Sequence, residues 1–263
     1  MKAVIPVAGL GKRFYPWTLQ NSKELIPVPD PKNPENIVSV VDLVVREAYE
    51  AGCNDILLIT ALGKSGIKDH LTRQQLVGNI PKNVRLHYTD QYGAKGLGDA
   101  ISCAKSFVGY EDFVVLLGDD FYDTSPLKEM IEIYNSTKLS EKLGALIAIQ
   151  KTQKELLKRY GVVKIKSNSE NIIIIDGIIE KPEEPPSDYI VPGRYILSNK
   201  IFFELENLQP GKNNEIQLTD AIQKLIEKEY KVRGVEVKGK RYDAGEPAGW
   251  LQVIEDLKNC QKK

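Results

Sequence analysis

The sequence predicts an α/β protein with a mostly parallel central sheet flanked by helices and a smaller antiparallel addition. Two observations support this prediction. Up to about position 150, short β-branched runs alternate with helical patterns, which is typical of strand–helix–strand crossover units. Beyond that point, short strand patterns follow one another with brief connections, as in antiparallel sheets. At 263 residues the chain is long enough to bury a sizeable core, and we expect residues 1–263 to form one domain.

The first part of the chain contains the elements of the predicted parallel sheet. Runs of β-branched and other apolar residues predict strands at 2–8, 55–61, 84–89, 112–118 and 143–149. Apolar residues at helical spacing predict helices at 37–51, 64–71, 97–107 and 126–137. Ligands of open parallel sheets bind beyond the carboxyl ends of the strands, so the loops after these strands are the first candidates for a site.

The second part of the chain contains the predicted antiparallel addition and the last helices. Strands are expected at 161–166, 171–176, 178–180, 189–197 and 232–237. Helices are expected at 218–230 and 246–258, the first of them with one continuous apolar stripe. We expect these elements to pack against the parallel sheet in the same domain.

Charge and cysteine content exclude several classes of function. Lys plus Arg and Asp plus Glu both number 36, so no overall field attracts nucleic acid or an anionic membrane. Cys53, Cys103 and Cys260 show no CxxC spacing and only two histidines are present, which argues against a zinc cluster. No signal peptide and no membrane-spanning run of about 18 apolar residues is apparent. We therefore expect a cytoplasmic protein.

A glycine turn follows the first predicted strand. Gly9 and Gly11 do not complete GxGxxG, because Phe14 occupies the third glycine position, and this disfavours a dinucleotide loop. In one interpretation, backbone N–H groups of the turn face phosphate oxygens while Arg13 and Lys23 add charge-assisted bonds. In the other, the glycines form an ordinary tight turn and the cations are solvated.

Acidic residues follow a later apolar strand. The run Leu-Leu-Gly-Asp-Asp ends with Asp119 and Asp120. These acids either cap the next turn or direct one carboxylate at Mg²⁺ bound to substrate phosphates, since Mg²⁺ typically takes one or two protein carboxylates. A second metal-binding acid must then come from elsewhere. Asp243, between a predicted strand and helix, is the candidate.

Three residues of the antiparallel part suit a sugar phosphate. Gly161, Glu180 and Lys181 lie at ends or bends of predicted strands. A carboxylate accepts hydrogen bonds from sugar hydroxyls and an ammonium group pairs with phosphate. An ordinary Glu-Lys pair on the surface explains the same residues equally well.

Taken together, these motifs resemble one known family. They occur in the order VIPVAGLGKR (4–13), SKELIPV (22–28), QYGAKGLGDAI (91–101), GDD (118–120), YGVV (160–163), EKPEE (180–184), PGRYILS (192–198) and NEIQLTDAI (214–222). The chain is similar over nearly its whole length to the UTP:glucose-1-phosphate uridylyltransferases of the bacterial and archaeal type. The resemblance implies a Rossmann-like fold of the nucleotide-diphospho-sugar transferase type and an Mg²⁺-dependent enzyme. Such an enzyme makes UDP-glucose and pyrophosphate from UTP and glucose 1-phosphate.

The resemblance also implies a role for each matching residue. The nucleotide-binding positions are Ala8, Gly9, Gly11, Gln91 and Gly96, with Gln91 recognising uracil. The catalytic cations are Arg13 and Lys23 on the triphosphate and Lys181 on the sugar phosphate. The other sugar-binding positions are Gly161, Glu180 and Arg194, and the metal-binding positions are Asp119 and Asp243. Residues 1–150 would then bind mainly nucleotide and residues 151–263 mainly sugar phosphate, with the C-terminal helices. Members of the family are often homo-oligomers.

Two departures from the family leave alternatives open. Lys12 stands where the family usually has threonine, and Ser22 where it usually has proline. Lys12 either adds charge toward the triphosphate or points to solvent. The segment RFYPWT (13–18) and the GDD motif also resemble thymidylyltransferases, so dTTP is the alternative to UTP. A non-catalytic nucleotide-sugar sensor is a second alternative, and a nicotinamide oxidoreductase a third, which the broken GxGxxG motif disfavours.

Overall fold

A mixed sheet of ten strands runs through the centre of the molecule. The computed structural model describes residues 1–138, 142–169, 172–211 and 214–259. Cys260 and the first residue of the strand predicted at 171–176 lie outside the described residues. Within the described residues, no helix is both long and apolar enough to cross a membrane.

The strands and helices alternate in the first part of the chain and cluster in the second. The strands are β1 (Lys2–Val7), β2 (Pro27–Asp30), β3 (Asn33–Ser39), β4 (Asp55–Ala61), β5 (Arg85–Gln91), β6 (Phe113–Leu116), β7 (Asp120–Tyr122), β8 (Leu143–Lys151), β9 (Gly161–Ser169), β10 (Ile172–Glu180), β11 (Tyr189–Ile190), β12 (Arg194–Leu197), β13 (Lys231–Glu236) and β14 (Arg241–Asp243). The helices are α1 (Val40–Glu50), α2 (Gly66–Leu76), α3 (Leu97–Ser102), α4 (Lys105–Val108), α5 (Leu127–Thr137), α6 (Lys154–Leu157), α7 (Ile201–Glu206), α8 (Leu218–Glu227) and α9 (Pro247–Asn259).

The sheet joins a parallel region to an antiparallel region. Its strand order is β11-β9-β10-β13-β8-β12-β6-β1-β4-β5. Strands β6, β1, β4 and β5 pair in parallel, as the crossover pattern predicts. Strand β12 then pairs antiparallel with both β6 and β8. The α/β fold class is confirmed, and the antiparallel strands extend the central sheet itself.

Helices cover both faces of this sheet. Side chains alternate along β1, so Ile5 belongs to one apolar cluster and its neighbour Val4 to the other. Helices α1, α5 and α9 contribute to the first cluster, and helices α3, α7 and α8 to the second. The protein therefore has three layers, and the loops at the strand ends lie between them.

Several element boundaries differ from the predictions, and the first two described below differ for local reasons. The helix predicted at 37–51 begins at Val40, because Ser39 and Asp42 form a capping box and Ile37 belongs to β3. The strand predicted at 189–197 is split into β11 and β12, since Gly193 adopts a φ of 85° that interrupts extended backbone. The strands predicted at 171–176 and 178–180 are one irregular strand, β10.

Candidate active site

A cleft of about 680 Å³ opens beyond the carboxyl ends of β1, β5 and β6. Both parts of the chain contribute to its walls. The predicted site residues that line it are Ala8, Gly9, Gly11, Arg13, Lys23, Gln91, Gly96, Asp119, Gly161, Glu180 and Lys181. The exposed side chain of Lys12 also lies at the cleft wall. Motif residues as far apart in the sequence as Ala8 and Thr219 thus share one concave surface.

The glycine turn after β1 brings the backbone close to Lys23. Gly11 has a φ of 62°, in the left-handed region that favours glycine, and its carbonyl accepts a hydrogen bond from the Thr18 hydroxyl at 2.7 Å. A Cβ on Gly9 would lie only 3.3 Å from the Lys23 Cε. Glycine at position 9 therefore lets the Lys23 side chain lie against the turn.

Lys23 forms an ion pair with Asp119 at the floor of the cleft. Burial by itself lowers the pKa of Lys23, but the Asp119 and Glu24 carboxylates outweigh it and raise that pKa above its ordinary value. Burial likewise raises the pKa of Asp119, and the Lys23 ammonium outweighs it, so the net shift is downward. Both partners are held in their charged forms. The pair retains contact with the cleft, since 16% of the lysine side chain and 25% of the aspartate side chain are exposed.

Two further acids next to this pair are buried. Burial raises the pKa of Glu24 to about 7, with the Lys23 ammonium opposing part of the shift. Among the described residues the Glu24 Oε2 has no hydrogen-bond partner. Burial also raises the pKa of Asp120 to about 7, although Arg241 lies 2.7 Å from its Oδ1. Two carboxylates next to the Lys23–Asp119 pair are therefore withdrawn from water, and one of them, Glu24, lines the cleft.

Two carboxylates converge on one small space beside Gly245. A Cβ on Gly245 would lie 2.6 Å from the Asp119 Oδ2 and 3.0 Å from the Asp243 Oδ1. The Gly245 N–H donates to the same Asp243 oxygen at 3.0 Å, and the Tyr160 hydroxyl donates to the other at 2.9 Å. No group of three or more potential metal ligands is present in the described parts of the chain. Two carboxylates facing one space fit a hard cation that shares its shell with phosphates and water.

The part of the cleft wall formed by β9 and β10 presents a carboxylate and an ammonium together. Gly161 and Glu180 are cross-strand partners in β9 and β10. A Cβ on Gly161 would lie 2.8 Å from the Thr219 Cγ2, and the Thr219 hydroxyl donates to the Glu180 Oε2 at 3.1 Å. The Lys181 Nζ lies 3.3 Å from the Glu180 Oε1. Lys181 has a φ of 44°, a conformation that favours glycine, so the chain holds this lysine in a strained backbone at the cleft.

Gln91 lies at the end of the cleft below α3. It is the last residue of β5 and is almost completely buried. Its Nε2 donates to the Gly96 carbonyl at 3.1 Å and to the Asp99 Oδ2 at 2.7 Å. Gly96 has a φ of 99°, and a Cβ there would lie 2.6 Å from the Ile216 carbonyl oxygen. Only glycine fits at position 96.

Arg194 does not reach the cleft, so its predicted role in sugar binding is wrong. Its side chain is 0% exposed, and its guanidinium bonds the Glu47 carboxylate at 2.9 and 2.7 Å. The same group donates to three backbone carbonyls, those of Leu117, Asp120 and Gly193. All of its donor directions point into protein, because β12 lies in the middle of the sheet. Arg194 is a buried structural cation.

Several cleft residues were not singled out from the sequence. They lie inside or beside motifs already noted: Glu24 in SKELIPV, Tyr160 in YGVV, Arg159 just before it and Thr219 in NEIQLTDAI. Glu246 accepts from the Arg13 Nη1 at 3.2 Å and lies 2.6 Å from the Arg159 Nη2, so it links two arginines across the cleft. Adjacency to a motif was the only available signal for these residues.

Comparison with known proteins agrees with this geometry. Residues 2–259 match the family described as Nucleotidyl transferase. The chain is 37% identical to a protein of Streptococcus pyogenes serotype M3 named UTP--glucose-1-phosphate uridylyltransferase 2, over 100% of this chain and 92% of the relative.

Solved structures are similar over the same length. One is a UDP-glucose pyrophosphorylase complexed with UDP-glucose, with a TM-score of 0.86, 32% identity and coverage of 100% and 99% of the two chains. Another is a UTP-bound UGPase from Acinetobacter baumannii, with a TM-score of 0.81, 33% identity and coverage of 97% and 92%. The chain therefore belongs to the nucleotidyl transferase family and, within it, to the UTP–glucose-1-phosphate uridylyltransferases.

Proposed function

We propose that the cleft joins UTP to glucose 1-phosphate and releases pyrophosphate, giving UDP-glucose. One observation carries the proposal: a single cleft receives Lys23 from the glycine-turn side and Lys181 from the antiparallel side. Two phosphorylated substrates can therefore meet in it, each with its own cation. The similar proteins are named for this reaction, and two similar structures hold UTP or UDP-glucose.

The glycine-turn side suits the triphosphate and the base. We assign the triphosphate to Arg13 and Lys23 and to the backbone of Ala8, Gly9 and Gly11. Burial lowers the pKa of Lys23, but the Asp119 and Glu24 carboxylates outweigh it and raise the pKa, so this ammonium is charged at neutral pH. We place the uracil edge against Gln91 and the ring beside Gly96, a position where a larger residue would clash with the Ile216 carbonyl.

Asp119 and Asp243 suit a bound Mg²⁺. Their two oxygens face one space that glycine at position 245 leaves open. Mg²⁺ accepts one or two protein carboxylates and completes its shell with water and substrate phosphates. When bound, it would neutralise phosphate charge as the transition state forms. Lys23 and Tyr160 hold the two carboxylates in position.

The antiparallel side suits the sugar phosphate. The Lys181 ammonium would pair with the phosphate, and the Glu180 carboxylate beside it would accept from sugar hydroxyls. The Thr219 hydroxyl orients that carboxylate. Gly161 lets Thr219 and Glu180 pack against the strand, because a Cβ there would lie 2.8 Å from the Thr219 Cγ2.

The reaction requires no nucleophilic side chain. An oxygen of the sugar phosphate forms a bond to the α-phosphorus of UTP, and the bond from that phosphorus to the bridging oxygen of the β-phosphate breaks. Both substrates are anions, so the chain must position them in line and offset their repulsion. Lys181 would offset the charge of the attacking phosphate. Arg13 and Lys23 would stabilise the charge that develops on the departing pyrophosphate.

A product assay tests the proposal. Purified protein is incubated with UTP or with dTTP, together with glucose 1-phosphate and Mg²⁺. Pyrophosphate release is followed, the sugar nucleotide is identified by chromatography, and UDP-glucose binding is measured by calorimetry. We expect UDP-glucose and pyrophosphate in equal amounts. Clear preference for dTTP would make the chain a thymidylyltransferase, and binding of UDP-glucose without any turnover would make it a sensor.

The remaining assignments follow from the same placement. Residues 1–150 would bind mainly nucleotide, while residues 151–263 would bind mainly sugar phosphate and supply the C-terminal helices. We propose a cytoplasmic homo-oligomer whose partners are small molecules. Neither nucleic acid nor membrane is an expected partner, since basic and acidic residues balance at 36 each. Light scattering of the purified protein measures the oligomeric state.

A further inference from the structure

The side-chain amide of Gln91 is held in one orientation. Its Nε2 contacts the Gly96 carbonyl oxygen and the Asp99 carboxylate, at 3.1 and 2.7 Å. Both contacts are oxygen acceptors, so the atom that meets them must be the NH₂ group, because the amide oxygen would be repelled by both. The two N–H bonds of Gln91 are thereby used within the protein. Its carbonyl oxygen, Oε1, is the group left for a ligand.

That oxygen is accessible from the cleft. Gln91 lines the cleft although only 5% of the residue is exposed. Oε1 makes no hydrogen bond to any described residue. This oxygen is also not fully buried, so solvent reaches it. A nearly buried amide thus presents one acceptor, and no donor, to whatever base enters.

We propose that Asp99 is a positioning residue for base selection, which fixes the Gln91 amide so that its oxygen accepts from a ring N–H. The inference rests on the proposed function, because it takes the cleft to bind UTP with its base at Gln91. Asp99 itself need not touch the nucleotide. It lies in the first turn of α3, the helix that begins directly after Gly96, and this short connection places both acceptors on the same amide.

The fixed Gln91 oxygen discriminates between pyrimidine bases by whether ring atom N3 carries a hydrogen. Uracil and thymine carry an N–H at ring position N3, which can donate to Oε1. Cytosine has an unprotonated nitrogen there, so two acceptors would face each other and the base would be excluded. A freely rotating amide would have no such power, since it could turn its NH₂ toward cytosine. The bond to the charged Asp99 is the stronger of the two restraints on that rotation.

The test measures binding of UTP and of CTP by calorimetry, with Mg²⁺ and without sugar phosphate. Asp99→Ala removes the carboxylate, while Asp99→Asn keeps a neutral acceptor of the same shape. Asp90→Asn is the matched control: it lies beside Gln91 and accepts from the Thr60 hydroxyl at 2.6 Å, away from the cleft. Because calorimetry needs no turnover, a protein that prefers UTP but makes no UDP-glucose would contradict only the proposed function.

We expect the native protein to bind UTP at least about tenfold more tightly than CTP, the scale of one mismatched hydrogen bond. This preference for UTP should shrink about fivefold in Asp99→Ala, which loses the hydrogen bond from Gln91 to the side chain at position 99. It should shrink less in Asp99→Asn, which loses the negative charge but keeps a neutral acceptor for that bond. It should be unchanged in Asp90→Asn. A merely structural role for Asp99 would weaken UTP and CTP binding equally and leave the preference intact. That result, or equal affinity for the two nucleotides in the native protein, would overturn the inference. If Asp99→Ala does not fold, the near-isosteric Asp99→Asn still decides the question.

Discussion

Two of the cation–carboxylate pairs in this protein, Arg194–Glu47 and Lys23–Asp119, differ in what surrounds them. Arg194 and Glu47 are enclosed by the sheet and helices, with the arginine 0% exposed and three backbone carbonyls completing its bonds. Lys23 and Asp119 meet at the floor of the cleft and keep part of their surface open to it. Arg194 has no donor left for a ligand, whereas Lys23 and Asp119 can bind a ligand that enters the cleft.

The surroundings of the two pairs distinguish a charged side chain that only stabilises the fold from one that can bind substrate. An arginine with its donors satisfied stabilises the neighbourhood of Leu117 and Asp120 and contributes nothing that a substrate can use. A lysine has three donors, and the contacts of Lys23 leave room for phosphate oxygens. Residue type and sequence position do not distinguish the two pairs. The number of satisfied donors and the access to the cleft do.

The largest expected effect is on stability. Arg194→Met leaves the Glu47 carboxylate buried without its cation and should lower the free energy of unfolding by about 3–5 kcal/mol. Urea denaturation measures this change. The double variant Arg194→Met with Glu47→Leu should recover most of the loss, and Lys32→Met, which breaks an exposed pair with Glu50, should cost less than about 1 kcal/mol. An equal loss of unfolding free energy in Arg194→Met and Lys32→Met would show that the buried Arg194–Glu47 pair stabilises the fold no more than an exposed pair.

The next effect is on turnover. Asp119→Ala or Asp243→Ala should lower kcat at least about a hundredfold, the scale of losing one electrostatic stabiliser, while the protein stays folded. Kinetics at saturating Mg²⁺, with circular dichroism for folding, provide the measurement. Asp55→Ala is the control, since it breaks a pair with the exposed Arg85 at the other end of β4. Near-normal kcat in one variant would remove that aspartate from the proposed metal site.

A smaller effect separates the two substrates. Lys181→Gly removes the ammonium and also suits the φ of 44° at this position, so sugar-phosphate binding should weaken about tenfold or more without loss of stability. Lys181→Ala should weaken binding equally but keep the backbone strain. Calorimetry with glucose 1-phosphate and with UTP measures both subsites. A comparable loss of UTP affinity would mean that the subsites are assigned incorrectly.

The last expected effect is on the pH dependence of stability. Burial raises the pKa of Glu24 from 4.5 to about 7, so the folded state binds this proton more tightly than the unfolded chain. Stability from this group is therefore fully present below pH 4.5 and is lost as the pH rises toward 7. Glu24→Gln should flatten the stability profile in that window by on the order of 2 kcal/mol relative to the native protein. Parallel profiles, measured by denaturation at several pH values, would show that Glu24 titrates normally.

Much of the fold could be predicted from the sequence, because the parallel strands are continuous apolar runs. The predicted and observed bounds of β4 agree, and β1 differs by one residue. The two short strands β7 and β14 were missed, since three residues give no periodicity and their pairing joins positions about 120 apart. That pairing sets Asp243 opposite Asp120, next to Asp119.

The site could be predicted where the backbone needs a positive φ, because such positions favour glycine and the glycines are visible in the sequence. Gly11 and Gly96 adopt left-handed or related φ values, and each is part of a recognisable glycine motif. Arg194 was misassigned because its motif shows a cation near other site residues, while its burial depends on β12 inserting between β6 and β8. The position of a strand in a sheet is a long-range property, which a local motif does not contain.

The most direct test of the account compares the two pairs in one assay. The measurement is the transfer of label from UTP, radiolabelled at the α-phosphorus, to glucose 1-phosphate, divided by the fraction of folded protein. Per folded molecule, Arg194→Met should transfer label within about threefold of the native rate, whereas Asp119→Ala should transfer it at least about a hundredfold more slowly. Equal loss in both variants, or no labelled UDP-glucose from the native protein, would contradict the account.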